Sequence, residues 1–262
     1  MKRYDIVIHR LREFCDKLNF IELFTQNKLG ILTVCDDPKA MCTFNYGGYV
    51  WPLPQSNIIW LEHELLTNQD LTGIYSICTM YKNDPNYTKK NIENVFEADI
   101  VTPKFEFVTF GQYSDIIATI VNLLRELGFL EKYVFTNYNH IAKRRGSKEL
   151  TIDDLTPSKQ VTFVEYIPIK KWGMKYTTKV YIQQKEILVL SEHLTESNEL
   201  LETFLTLDDG HLSNYLYAQF SKERVDDELF KFINTRGKPT VSCSIHIPNL
   251  MNVMHDLDML FN

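Results

Sequence analysis

The sequence predicts an α+β fold, an antiparallel β-sheet with helices laid against it, and three observations carry that prediction. In the stretch 73–111 two flanks are rich in β-branched and aromatic residues, Ile74, Tyr75, Ile77, Thr79 and Tyr81 on one side and Val101, Phe105, Phe107 and Thr109 on the other. That composition favours strands. Residues 83–98 between them hold Pro85, four Asn, two Lys and two Glu, too long for a tight turn and too polar for a core, so the stretch reads as a wide antiparallel hairpin. Directly after it, residues 113–128 carry a broad apolar stripe at helical spacing, a helix expected to lie on the sheet. Further strand-like runs at 161–168, 179–189 and 239–247 are interleaved with helical patterns, and no repeat or linker divides them.

Taken in order, residues 3–18 place Ile6, Leu11, Phe14, Cys15 and Leu18 near helical spacing, with Arg10, Glu13 and Lys17 for the wet side. Residues 20–25 form a short apolar strand. Residues 43–51 are aromatic and carry glycine, and Pro52 and Pro54 stiffen the chain before Gln55. A helix follows from Ser56, capped by Ser56 or Asn57, with Ile58, Ile59, Leu61, Leu65 and Leu66 on its apolar side. Within 113–128, Ser114 is the expected cap and Gly128 the stop. Residues 130–160 give no clear pattern beyond the basic run 143–148, expected to be a solvated face, and a turn at 155–158. Residues 172–175 read as a loop between the strands 161–168 and 179–189. Helices are expected at 197–205 and 211–234, and Pro248 opens a closing helix.

Composition narrows the function. With 262 residues, 28 Lys plus Arg and 34 Asp plus Glu, the formal charge is −6, which argues against a general nucleic-acid binder. The five scattered cysteines have no CxxC spacing and suit buried thiols in a reducing cytosol. The N-terminal segment is too charged for a membrane span, so a cytoplasmic protein without membrane association is expected. The seven histidines form no HxH or HExxH pair, and neither a GxSxG elbow nor a Walker A sequence occurs. No Ser/His/acid triad is singled out by spacing.

Charged residues in or beside strands carry the remaining signal, because a buried charge costs free energy unless paired or used. These are Lys82, Asp84, Glu106, Glu186 and Glu192. For any one of them, pointing to solvent from an alternating strand is the plainer reading. Together they have the makings of a site that holds a phosphate through lysine and a divalent cation through carboxylates.

The order of segments resembles the catalytic core of class II aminoacyl-tRNA synthetases, in particular the aspartyl/asparaginyl branch and its stand-alone asparagine synthetase relatives. Phe20-Ile21-Glu22-Leu23 resembles the first motif, with Gln26 near the place of its usual proline. Trp51-Pro52-Leu53-Pro54-Gln55-Ser56 followed by Trp60-Leu61-Glu62 resembles the amino-acid-pocket segment PLPQ(T/S)xQxWLE, with Ile58 at the second glutamine. Tyr81-Lys82-Asn83-Asp84 stands for Tyr-Arg-Asn-Glu of motif 2, and residues 103–107 for its returning strand. Glu186 and Glu192 lie where the family has an acidic segment. Residues 242–250, SCSIHIPNL, stand for GGGIGxxRL of motif 3, so that serines and histidine replace glycines and Asn249 replaces arginine.

The resemblance implies one catalytic-type domain over residues 1–262 without an anticodon-binding module, ATP and Mg²⁺ as cofactors, and a small amino acid as substrate. It implies Lys82, Asp84 and Glu106 as catalytic residues, Lys82, Glu186 and Asn249 as nucleotide contacts, Glu186 as metal ligand, and Gln55 and Glu192 as substrate contacts. Lysine offers a phosphate a point charge rather than a two-pronged contact, and Asn249 offers none. The departures lead to the expectation of a decayed ATP site, a pseudoenzyme that partners an active paralogue or itself as a dimer and does not bind tRNA. The alternative expectation is an active ligase that forms an acyl-adenylate.

Overall fold

The computed structural model describes residues 2–24, 42–68, 70–82, 101–129, 132–146, 152–156, 160–166, 174–195, 239–257 and 259. Its centre is an eight-stranded sheet in the order β1-β4-β5-β10-β9-β8-β7-β6. The strands are β1 (Ile21–Glu22), β4 (Gly73–Tyr81), β5 (Val101–Phe110), β6 (Tyr133–Asn137), β7 (Val161–Tyr166), β8 (Met174–Ile182), β9 (Lys185–His193) and β10 (Thr240–His246). All pairings are antiparallel except β1 with β4 and β6 with β7 at the two edges. A separate hairpin joins β2 (Thr43–Tyr46) to β3 (Tyr49–Pro52). Its two-residue turn needs positive φ at both positions, which Gly47 (60°) and Gly48 (80°) adopt without steric cost.

The expected hairpin 73–111 is present in full, paired from Gly73↔Thr109 to Tyr81↔Val101. One face of the sheet is apolar and is covered by α1 (Lys2–Lys17), α3 (Tyr113–Glu126) and α6 (Ile247–Asp256). There Val7, Leu11 and Phe14 of α1, Ile120 and Leu124 of α3, and Leu250 and Val253 of α6 close over Phe105, Phe107, Val241, Cys243 and Ile245. Burying each large side chain contributes about 1.5–3 kcal/mol. The opposite face meets α2 (Ile58–Thr67), where Leu61 and Leu65 pack on Ile74 and Val108.

The structure corrects several local expectations. The buried stripe of α1 includes Val7 and Ile8, whereas Ile6 is exposed, so the helix is rotated from the predicted face. Only Ile21–Glu22 of the run 20–25 pairs as a strand, and Thr25 lies outside the described residues. Phe20 instead packs its ring on Phe107, over Gly73, where a Cβ would come within 2.4 Å of the ring. The cap of α3 is Gln112, whose carbonyl accepts from Asp115 and Ile116, and Ser114 is inside the helix. Gly128 follows the helix with φ +101° as expected. The undecided stretch 130–160 contains β6, α4 (Tyr138–Arg145) and α5 (Ile152–Leu155). Met174 and Lys175 belong to β8, not to a loop, and residues 179–189 are not one strand but the two arms of a hairpin turning at Gln183 and Gln184. The helices expected at 197–205 and 211–234 fall outside the described residues.

At the β1 edge, Arg12 of α1 donates two hydrogen bonds to Glu22, at 3.0 and 2.8 Å, and the Tyr75 hydroxyl donates a third at 3.2 Å. The hydrogen bonds from Arg12 hold the Glu22 carboxyl below the usual range, against the opposing effect of burial. A depressed carboxylate pKa gives stability that is present above the unfolded value, near 4.3, and lost as pH falls through the folded one. Both side chains are largely solvated, so Arg12→Ala is expected to cost only about 0.5 kcal/mol near neutral pH. That cost should vanish near pH 3, as urea unfolding at the two pH values will measure.

Candidate functional site

Side chains of a strand alternate between the two faces of a sheet, and the registers assign each one here. On the α2 face, Ser76, Glu106, Ser244, Val189 and Lys179 form one row across β4, β5, β10, β9 and β8. The next row is Ile74, Val108, Ser242, Ser191 and Thr177. Strand β10 accounts for much of this polarity, because its sequence TVSCSIH alternates hydroxyls with Val, Cys and Ile. Ser76, Glu106, Thr177, Ser191, His193, Thr240 and Ser242 are nonetheless buried. A buried polar face must satisfy its own hydrogen bonds.

Glu106 is fully buried and takes three hydrogen bonds. Ser56 Oγ donates to Oε1 at 3.0 Å, Ser244 Oγ donates to the same oxygen at 2.9 Å, and the Asn57 backbone N–H donates to Oε2 at 2.7 Å. The carboxylate thereby ties the segment before α2 to β5 and β10. Beside it, burial first and the Glu106 charge second push the Cys78 thiol well above its ordinary range, so Cys78 is a poor nucleophile.

A second buried carboxylate, Glu62 of α2, was not among the expected site residues. His193 Nδ1 lies 2.7 Å from Glu62 Oε1, close but poorly aligned as a hydrogen bond, and Thr240 Oγ1 donates to the same oxygen at 2.5 Å. His193 Nε2 is 2.8 Å from Ser242 Oγ. With a proton on Nδ1, Nε2 accepts from the serine. The order acid, imidazole, hydroxyl is that of a hydrolytic triad, but Glu62, His193 and Ser242 are 0%, 2% and 1% exposed. No substrate carbonyl reaches the serine, and the chain of contacts acts as a tether from α2 to β9 and β10.

The other expected site residues are dispersed. Gln55 is buried in the segment that precedes α2, where Pro54 O accepts from the Tyr81 N–H at 2.8 Å. Lys82 is exposed just beyond the end of β4, and Asp84 lies outside the described residues. Glu192 opposes Val241 in register and therefore sits on the face of α3, not with His193 and Ser242; its carboxylate accepts from Lys175 Nζ at 3.1 Å. Glu186 and Asn249 do meet, through Asn249 Nδ2 donating to the Glu186 backbone oxygen at 3.0 Å. The Glu186 side chain is held by Lys179 Nζ at 2.6 Å and by the Tyr181 hydroxyl at 3.4 Å. That donor set does not fit Mg²⁺: an ammonium already covers the carboxylate, and among the described residues no three His, Cys, Asp or Glu side chains converge.

The sheet order, the long β4–β5 hairpin and the helix entering from β10 together define the catalytic core of class II aminoacyl-tRNA synthetases as the fold of this chain. Among solved structures it is similar to asparaginyl-tRNA synthetase from Pyrococcus horikoshii complexed with asparaginyl-adenylate, at 15% identity and a TM-score of 0.69, over 99% of this chain and 66% of that one. It is similar to the Entamoeba histolytica enzyme with asparaginyl-adenylate, at 12% and 0.69 over 99% and 64%, and without it, at 10% and 0.71 over 99% and 65%. The chain thus spans slightly under two thirds of those proteins. It matches no family model and no curated protein. No described helix is long and apolar enough to cross a membrane, and the four described cysteines are free.

Proposed function

We propose that this chain is a synthetase-like domain that has given up adenylate formation and serves as a regulatory or structural partner. It works as a single unit in the cytoplasm, as a homodimer or beside an active paralogue, and does not depend on tRNA. The observation that carries this reading is the state of Glu106: its carboxylate is fully buried and occupied by three donors of the same chain. A buried carboxylate that fastens Ser56, Asn57 and Ser244 has a structural use of its own, apart from any ligand. Lys82 is exposed just beyond the end of β4 and offers a point charge, and Asn249 spends its side-chain amide on a backbone oxygen. Losing one charged contact to a transition state costs a few kcal/mol, about a hundredfold or more in rate.

The second reading, an active ligase that forms an acyl-adenylate, is favoured by one observation: two of the similar structures hold asparaginyl-adenylate. Lys82, Asp84, Glu106, Glu186 and Glu192 would then carry the chemistry. Amino-acid-dependent exchange of pyrophosphate into ATP, with aspartate and asparagine, separates the two. We expect no exchange above background and no saturable micromolar ATP binding by calorimetry. Exchange that disappears in Lys82→Met would establish the ligase instead.

A further inference from the structure

The misfit between Glu186 and a divalent cation has a specific origin in β8 and β9. From Lys179↔Val189 and Val180↔Leu188 the register slips to Tyr181↔Glu186, leaving Ile187 as an extra residue. A bulge of this kind turns the following side chain to the other face. Ile187 and Leu188 therefore both enter the apolar core, and Glu186 comes to the α2 face beside Tyr181 and Lys179. Without the bulge, alternation would send Glu186 into the core with Leu188 and Leu190. Two features of one hairpin thus act together: the bulge delivers the carboxylate, and the lysine three positions before Ile182 meets it at 2.6 Å.

The pair is only partly solvated, with Lys179 30% and Glu186 37% exposed. Burial pulls the Lys179 pKa down, but the charge and hydrogen bond of Glu186 outweigh it and the net direction is up, so the lysine remains an ammonium. Lys179 also shares a row with Glu106 and Ser244.

We propose that Lys179 is the resident cation of this face: its ammonium holds the position at Glu186 that a divalent metal would take, which closes the site to Mg²⁺ and makes it metal-independent. The assignment rests on the proposed reading only in treating this face as a former ligand face, and holds whether or not the chain forms adenylates. A carboxylate can accept an ammonium or coordinate a hard cation through the same oxygen, and the tethered ammonium has no translational entropy to lose. The removal of Lys179 should therefore unmask metal binding.

Titration with Mn²⁺ alone, read by the loss of its free-ion electron paramagnetic resonance signal, tests this without any activity assay. Wild type is expected to leave the signal unchanged at submillimolar metal. Lys179→Ala, and Lys179→Met where the aliphatic stem is needed for folding, should bind about tenfold more Mn²⁺, since a hard oxygen donor is freed. Adding Glu186→Gln should abolish the gain. Uptake by wild type that Glu186→Gln removes overturns the assignment, as does a folded Lys179 variant that binds no more than wild type. Where both variants unfold, stoichiometric uptake by wild type alone still refutes the resident cation.

Discussion

Glu62→Ala is expected to destabilise the protein by about 2–4 kcal/mol, because it removes a buried acceptor and strands the polar group that faces it. The stranded group is His193, 2% exposed, whose Nδ1 faces the Glu62 carboxylate while Nε2 is committed to Ser242. Thr240 loses its acceptor as well. A double replacement with apolar residues, Glu62→Leu with His193→Phe, should recover part of the loss, since no imidazole is then stranded, although the Thr240 and Ser242 hydroxyls still lose their partners. Urea unfolding of the single and double variants measures both. A loss below about 1 kcal/mol in Glu62→Ala would show that the contact is not the tether described, because substitutions without such a mechanism cost little.

The second large effect concerns Glu106. Glu106→Ala leaves two hydroxyls and the Asn57 N–H without their acceptor in the interior, and about 3 kcal/mol should be lost, each orphaned buried donor costing on the order of 1 kcal/mol or more. Glu106→Gln distinguishes charge from acceptance. Its carbonyl oxygen can turn to Asn57, which can only donate, and its NH₂ to the two serine hydroxyls, which can also accept. About 1 kcal/mol is expected for that variant, the ordinary worth of a single buried hydrogen bond. Equal losses in the two variants would mean that the negative charge itself matters, and with it a cation outside the contacts described.

The hairpin of β4 and β5 was legible because nine consecutive pairs draw on residues that prefer strands, and composition reports this directly. Helix α3 was legible for the analogous reason at a period of 3.6. The turn at Gln183 and Gln184 was not, since φ values of 49° and 64° in a two-residue turn are normally marked by Asn-Gly and glutamine carries no such mark. Missing that turn merged β8 with β9. It also concealed that Glu186 and Glu192 lie on opposite faces, because the bulge at Ile187 shifts the parity between them. Glu62 was visible in the pocket-like segment but not as a site residue, because a carboxylate on a helix is ordinary and its burial has no signature in sequence. Ser242 and Ser244 were visible, but as replacements for glycine; that they fasten His193 and Glu106 depends on partners from distant segments.

The alternation of β10 between an apolar side and a polar side has a consequence for how such a chain changes over time. Odd positions of β10, Val241, Cys243 and Ile245, belong to the core, while the even positions between them belong to the platform. A substitution at Ser242 or Ser244 alters the platform and leaves every core neighbour in place, so selection acts on the two sets of positions almost independently. Heredity can rewrite one side of a strand as freely as the other side is constrained. That separation is one way in which the same fold can hold at 10–15% identity to asparaginyl-tRNA synthetases while the side chains on the polar side of this strand vary.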